Sequence, residues 1–161
     1  MSIERVRAYF RAQDAEHLIH EFPVSSATVE LAAKAVGVEP ARIAKTLSFK
    51  KEDHALLVVA AGDAKVDNRK FKDTFGLKAK MLTPEEVVAL TNHAIGGVCP
   101  FAVPENAEIY LDISLKRFDK IYPAAGSANS CVELTCPELE HYAAAKGWAD
   151  VCKGWEGDFV S

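Results

Sequence analysis

The sequence predicts an α+β fold, a central curved mixed sheet flanked by helices, with residues 1–161 forming a single domain. Three observations carry this. Residues 56–61, Leu-Leu-Val-Val-Ala-Ala, are apolar on both faces, as a strand at the centre of a sheet must be. Helix-period patterns and short strand-like runs follow one another without regular βαβ alternation, which argues against a doubly wound sheet. A chain of 161 residues, 49% hydrophobic and 26% charged, can bury one real core.

Taken in order, Ser2 is placed to cap a first helix, with Ile3, Val6 and Phe10 on one face and Arg5, Arg7 and Arg11 largely outside. Residues 14–16 break it. Leu18, His20 and Phe22 then alternate with Ile19 and Glu21 as a short strand ended by Pro23. Ser25-Ser26-Ala27-Thr28 starts a second helix, in which Val29, Ala32, Ala33 and Val36 recur at helical spacing until Gly37 stops it. Pro40 opens a helical turn to Ala44, and residues 46–50 read as a strand with Lys45 at the junction. If that strand includes Lys45, then Lys45, Leu47 and Phe49 share one face, and Thr46, Ser48 and Lys50 the other. A lysine on the more apolar face is costly unless its head meets an anion or water.

After the central strand Gly62-Asp63 turns the chain. Asp67 or Asn68 caps a helix with Arg69, Lys70 and Lys72 outside and Phe71 and Phe75 inside, ended by Gly76. Residues 78–82 read as a strand, and Thr83-Pro84-Glu85-Glu86 as a capping box for a helix carrying Val87, Val88 and Leu90. Strands are read at 109–113, more weakly at 115–122, and at 131–135 after a small-residue loop. Pro137 opens a last helix with Leu139, Tyr142 and Ala143 inward, and the tail from Gly147 is held by the indoles of Trp148 and Trp155.

Composition narrows the function. No apolar run follows the charged N-terminal residues and none is long enough to span a bilayer, so a cytoplasmic protein with no membrane partner is expected. Cys99, Cys131, Cys136 and Cys152 form no C-x-x-C pair or zinc spacing, which predicts reduced thiols, no metal and no cofactor. His17 and His20, an i, i+3 pair on a strand, point to opposite faces and argue against a shared metal. No G-x-G-x-x-G, Walker lysine, recognition-helix or zinc-finger pattern is present, so nucleotide-fold and DNA-reading functions are not expected. The net charge of −4 conceals a basic segment, residues 45–80, with nine basic and five acidic residues. Such a segment can steer a polyanion to one face.

The stretch Gly96-Gly97-Val98-Cys99-Pro100-Phe101 follows the fourth helix. Paired glycines permit positive φ and close approach, while Pro100 fixes the chain, so the loop can hold backbone N–H groups towards a developing oxyanion or a phosphate. Cys99 and His93 also suggest a thiol nucleophile with a histidine base. No third group that would orient the pair is evident.

These residues resemble the YbaK-type aminoacyl-tRNA deacylases, related to the editing insertion of bacterial prolyl-tRNA synthetases. The likeness spans Val36-Gly37-Val38, Ile43-Ala44-Lys45-Thr46-Leu47, Leu57-Val58-Val59 with Gly62-Asp63 and Val66-Asp67, the loop from Gly96 to Phe101, and Gly126-Ser127 ahead of a strand. It implies a YbaK/prolyl-tRNA synthetase-associated fold and a trans-editing enzyme that hydrolyses the ester of a mischarged tRNA. In the family the position of Lys45 is essential and contacts the tRNA backbone near its acceptor end. The loop equivalent to Gly96, Gly97, Val98, Cys99 and Pro100 positions the aminoacyl carbonyl, and a ribose hydroxyl of the terminal adenosine helps activate water. The family does not require a cysteine.

On this reading Ser26, Thr28, Phe49, Phe101, Gly126, Ser127 and Val98 are expected around the substrate, and Lys65, Arg69 and Lys70 along the acceptor arm. A pocket lined with hydroxyls would favour a small or hydroxylated side chain: alanyl, seryl, cysteinyl or similar. The partners implied are the acceptor end of aminoacyl-tRNA and an aminoacyl-tRNA synthetase, with action free or docked on the synthetase both open. Two other functions compete: a module of the same fold that binds tRNA or another polyanion without chemistry, and a cysteine-dependent hydrolase of small esters.

Overall fold

A computed structural model describes residues 2–155. Helix α1 (Ser2–Arg11) buries Val6 and Phe10, and Phe10 packs edge-on against Phe101. Ser2 lies within the helix instead of capping it, and its hydroxyl is bonded to His93 Nδ1. A 3-10 turn precedes β1 (Ile19–Glu21). Helix α2 (Val29–Val36) is capped by Thr28, whose Oγ1 accepts from Leu31 N, and is closed by Gly37 at φ +87°. Ala32 and Ala33 are its buried side chains.

A second 3-10 turn, Pro40–Arg42, leads into β2 (Ile43–Lys51), which pairs antiparallel with β3 (His54–Ala61). The strand starts earlier than expected and sets Lys45 opposite Ala60 and Thr46 opposite Val59. Residues 55–61 are fully enclosed, as apolarity on both faces requires. The short β4 (Lys65–Val66) precedes α3 (Asn68–Phe75), capped by Asp67 and ended by Gly76 in the left-handed region. Residues 78–82 form no continuous strand. Met81 bridges Phe49 on the outer edge of β2, held by Lys50 N to Lys80 O and Leu82 N to Ser48 O hydrogen bonds.

Helix α4 (Pro84–Thr91) opens on the complete Thr83/Glu86 capping box and ends at Asn92, with φ 69°. Val87 is buried, whereas Val88 is exposed. β5 (Glu108–Asp112) is followed by a 3-10 helix, Ile113–Arg117, where a strand was expected. The Asp112 carboxylate explains the change, because it accepts from both Ser114 N and Val151 N and turns the chain. Only β6 (Tyr122–Pro123) remains of that strand. β7 (Ser130–Val132) precedes α5 (Cys136–Ala143), which Thr135 and Glu138 cap.

The tail is not merely docked. β8 (Gly147–Ala149) joins the sheet beside β5, and β9 (Cys152–Lys153) pairs with β4. The five-stranded mixed sheet runs β6-β2-β3-β5-β8, and β1-β7 and β4-β9 are separate ribbons. Among the described residues no helix is long and apolar enough to cross a membrane.

Candidate active site

Strand alternation gives β2 two chemistries. Phe49 turns inward onto Phe71, with ring centroids 4.7 Å apart, and is 2% exposed. On the other face Ala44, Thr46 and Ser48 floor a cavity of about 270 Å³. Val29 and Ala32 of α2 form one wall, and Met81, Leu82 and Val87 another. Ile95, Gly96 and Val98 of the glycine loop, with Ala124, Ser130 and Cys131, complete it. The volume lies just below the ~300–1,000 Å³ usual for drug-sized ligands. Met81 and Ile95, both lining residues, are 54% and 65% exposed and give the cavity mouth an apolar rim.

Lys45 also lines the cavity, and its ammonium donates to Gly62 O at 3.3 Å. Burial is the main cause holding its pKa below the usual lysine value, and Lys65 adds like-charge repulsion. Cys152 and Asp63 act in the opposite sense. Burial pushes the Cys152 thiol up to about 12, so it is neutral near pH 7 and offers no counter-charge. Asp63 is engaged by both terminal nitrogens of Arg117, at 2.6 and 3.0 Å. Lys45 therefore presents a half-buried cation with no ion pair of its own among the described residues.

The two glycine loops are stacked. A Cβ on Gly97 would lie 2.8 Å from Gly126 C and Ser127 N, so these backbones touch only because residue 97 has no side chain. Gly97 N donates to Ala94 O at 3.0 Å and is thereby spent. Gly96, at φ +97°, and Val98 both face the cavity, and neither N–H has an acceptor among the described residues. Of the loop's N–H groups, that of Gly97 is therefore committed, while those of Gly96 and Val98 are not committed among the described residues.

Several expected site residues stand behind the cavity. Gly126, Gly97 and Pro100 are buried beneath it, and Phe101 is fully enclosed against Phe10. Ser127 Oγ bonds Asn129 Oδ1 at 2.9 Å and Ser130 Oγ at 2.6 Å, so it sets Ser130 without lining the cavity. Cys99 and His93 do meet, Sγ to Nε2 3.4 Å, but Cys99 is fully buried and its thiol is pushed up to about 12. His93 Nε2 also bonds Phe101 O at 2.7 Å, and burial holds the ring's pKa below its usual value. That pair is a core contact.

Ser26 and Thr28 do line the cavity. Thr46, Ser48, Tyr122 and Ser130 join them, although sequence reading did not select them as site residues. Of the basic segment, Lys65 and Arg69 are exposed, while Lys70 reaches Asp150 Oδ1 and Cys152 O, each at 3.1 Å. Lys50 and Lys51 pair with Glu86 and Glu108.

Residues 24–142 match the family described as the aminoacyl-tRNA editing domain. The chain belongs to that family. A Bacillus subtilis (strain 168) relative described as uncharacterized protein YwhH is 54% identical over 157 residues, spanning 97% of this chain and 100% of its own. The proline--tRNA ligase of Bacillus cytotoxicus is 28% identical over 110 residues, 66% of this chain but 19% of the ligase. A solved structure described as a candidate trans-editing enzyme for prolyl tRNA synthetase superposes with a TM-score of 0.85 at 34% identity, covering 95% of this chain and 98% of that one. The mixed α+β fold of the editing family is therefore the fold of this protein.

Proposed function

We propose that this protein is a trans-acting deacylase that hydrolyses the ester joining a small non-cognate amino acid to tRNA. The observation that carries the reading is half-buried Lys45, without an ion pair among the described residues, at a cavity of about 270 Å³ that is also lined by Gly96 and Val98, whose N–H groups meet no acceptor among those residues. A half-buried cation held only by a backbone carbonyl favours a phosphate. The amides of Gly96 and Val98 are positioned to receive a carbonyl oxygen as it becomes an oxyanion, each worth about 3 kcal/mol of transition-state stabilisation. Water adds to the carbonyl carbon, the carbon–oxygen bond to the ribose breaks, and the departing ribose oxygen takes up a proton. The amino acid leaves as its carboxylate.

Among the described residues, no Asp, Glu or His lines the cavity. Base assistance is accordingly assigned to the substrate's own terminal ribose hydroxyl, as the resemblance implies. An activated aminoacyl ester needs no stronger base. A synthetase pocket separates one methylene by only about 1–3 kcal/mol, which is the error a second pocket of this size corrects. The work is expected in the cytoplasm, free or docked on a synthetase.

The same absence of a protein base favours a second reading, a module that grips the acceptor end without chemistry. Incubation with a panel of mischarged tRNAs separates the two. The deacylase releases free amino acid faster than spontaneous hydrolysis. A binder retards the tRNA in a gel and leaves every ester intact, which would overturn the proposal.

A further inference from the structure

Among the described residues, six that bear a hydroxyl line the cavity: Ser26, Thr28, Thr46, Ser48, Tyr122 and Ser130. Four are committed to the protein. Ser26 Oγ donates to Ala128 O at 3.4 Å, and Thr28 Oγ1 caps α2 by accepting from Leu31 N at 3.1 Å. Tyr122 donates to Glu133 Oε1 at 3.2 Å, and Ser130 shares a 2.6 Å bond with Ser127. The other two sit two residues apart on the cavity face of β2. Thr46 Oγ1 is enclosed with no partner among the described residues. Ser48 is 5% exposed, and its hydroxyl likewise bonds no described residue.

Unmet hydroxyls in a mostly apolar wall are unfavourable unless something else satisfies them. Alternation on a strand places them about 7 Å apart on one side, so both can reach one compact group between them. Thr46 is half-buried and lines the cavity while its oxygen is enclosed, so its hydroxyl meets a group in the cavity by a step of χ1 between staggered wells.

We infer that Thr46 and Ser48 are the specificity-determining pair of the cavity, and that its substrate is an aminoacyl ester with a small hydroxyl-bearing side chain, seryl in preference to an apolar residue of the same size. The inference rests on the deacylase reading. A site built to bond a substrate hydroxyl rejects the analogue lacking it, because its own polar groups are then left unpaired. An apolar cavity of equal size separates the two only weakly.

The test compares one tRNA charged with serine or with 2-aminobutyrate, which places a methyl where serine has its hydroxyl. Wild-type protein is expected to release serine at least about tenfold faster. Thr46→Val, which keeps shape, and Ser48→Ala are each expected to bring that ratio towards one, with the Thr46→Val melting temperature unchanged or raised. A wild-type ratio near one overturns the inference and leaves the deacylase standing. So does a seryl preference that neither substitution alters, the result expected if the two hydroxyls meet the α-ammonium common to all aminoacyl esters. Release of neither residue, nor of any other in the panel, overturns the deacylase reading itself.

Discussion

Gly97 rests on the backbone of Ser127: a Cβ at residue 97 would stand 2.9 Å from Ser127 Cα and 2.8 Å from Ser127 N. Backbone lies on both sides of that contact, so neither chain can yield without opening the loop pair. Gly97→Ala is expected to cost about 1–3 kcal/mol, a fall in melting temperature of about 3–10 °C, and to slow ester hydrolysis by displacing Gly96 and Val98. Thermal melts and deacylation rates check both effects. An alanine variant with wild-type stability would mean that the loops do not touch.

Cys99 is expected to be dispensable for chemistry. Its thiol is fully enclosed and stays protonated near pH 7. Cys99→Ala should therefore hydrolyse at close to the wild-type rate, and iodoacetamide should leave the native enzyme active. A rate loss as large as that expected for Lys45→Ala would restore the thiol nucleophile.

The same burial sets an alkaline limit to stability. Cys99, Cys131 and Cys152 are each pushed from an ordinary value of 9.0 up to about 12. Above pH 9 the unfolded thiols lose protons that the folded thiols keep, so stability is fully present below 9 and is lost as pH rises towards 12. Cys99 alone contributes a slope of up to about 1.4 kcal/mol per pH unit in that window. Tyr122, also raised by burial, acts in the same direction, and Lys45, lowered, opposes it. Urea unfolding at pH 8, 9 and 10 should show the fall beginning above 9. A flat profile would contradict the enclosure of these thiols.

Much of the fold was legible because its signals are local. The capping box at Thr83, Gly37 and Gly76 as helix stops, and the doubly apolar run of β3 each follow from a few neighbouring residues. β4, β8 and β9 were not, because strands of two or three residues carry no period, and their pairing depends on partners far along the chain. The site was legible in part. Lys45 and the glycine loop announce themselves by residue type, and Lys45 with Gly96 and Val98 does meet at one cavity. Phe49 and Phe101 were read as lining, yet packing against Phe71 and Phe10 takes them into the core. Thr46 and Ser48 escaped selection because nothing in the sequence says which face of β2 borders a void.

Lys65 and Arg69 are exposed and make no ion pair among the described residues, whereas Lys70 is held by Asp150. Lys65→Ala and Arg69→Ala are each expected to weaken tRNA binding and to reduce the slope of log K against log salt by up to about 0.9. Lys70→Ala should chiefly lower stability. A salt titration of binding distinguishes the three. Equal slopes in wild type and the first two variants would place the acceptor arm elsewhere.

The most direct test of the account is Lys45→Ala, assayed on whichever mischarged tRNA the wild-type protein hydrolyses fastest, with a melting curve alongside. The ammonium has no ion pair to lose among the described residues, so the fold should persist, while hydrolysis should fall by about 10²–10³-fold. Undiminished hydrolysis by a folded Lys45→Ala protein would contradict the assignment of ester cleavage to this cavity.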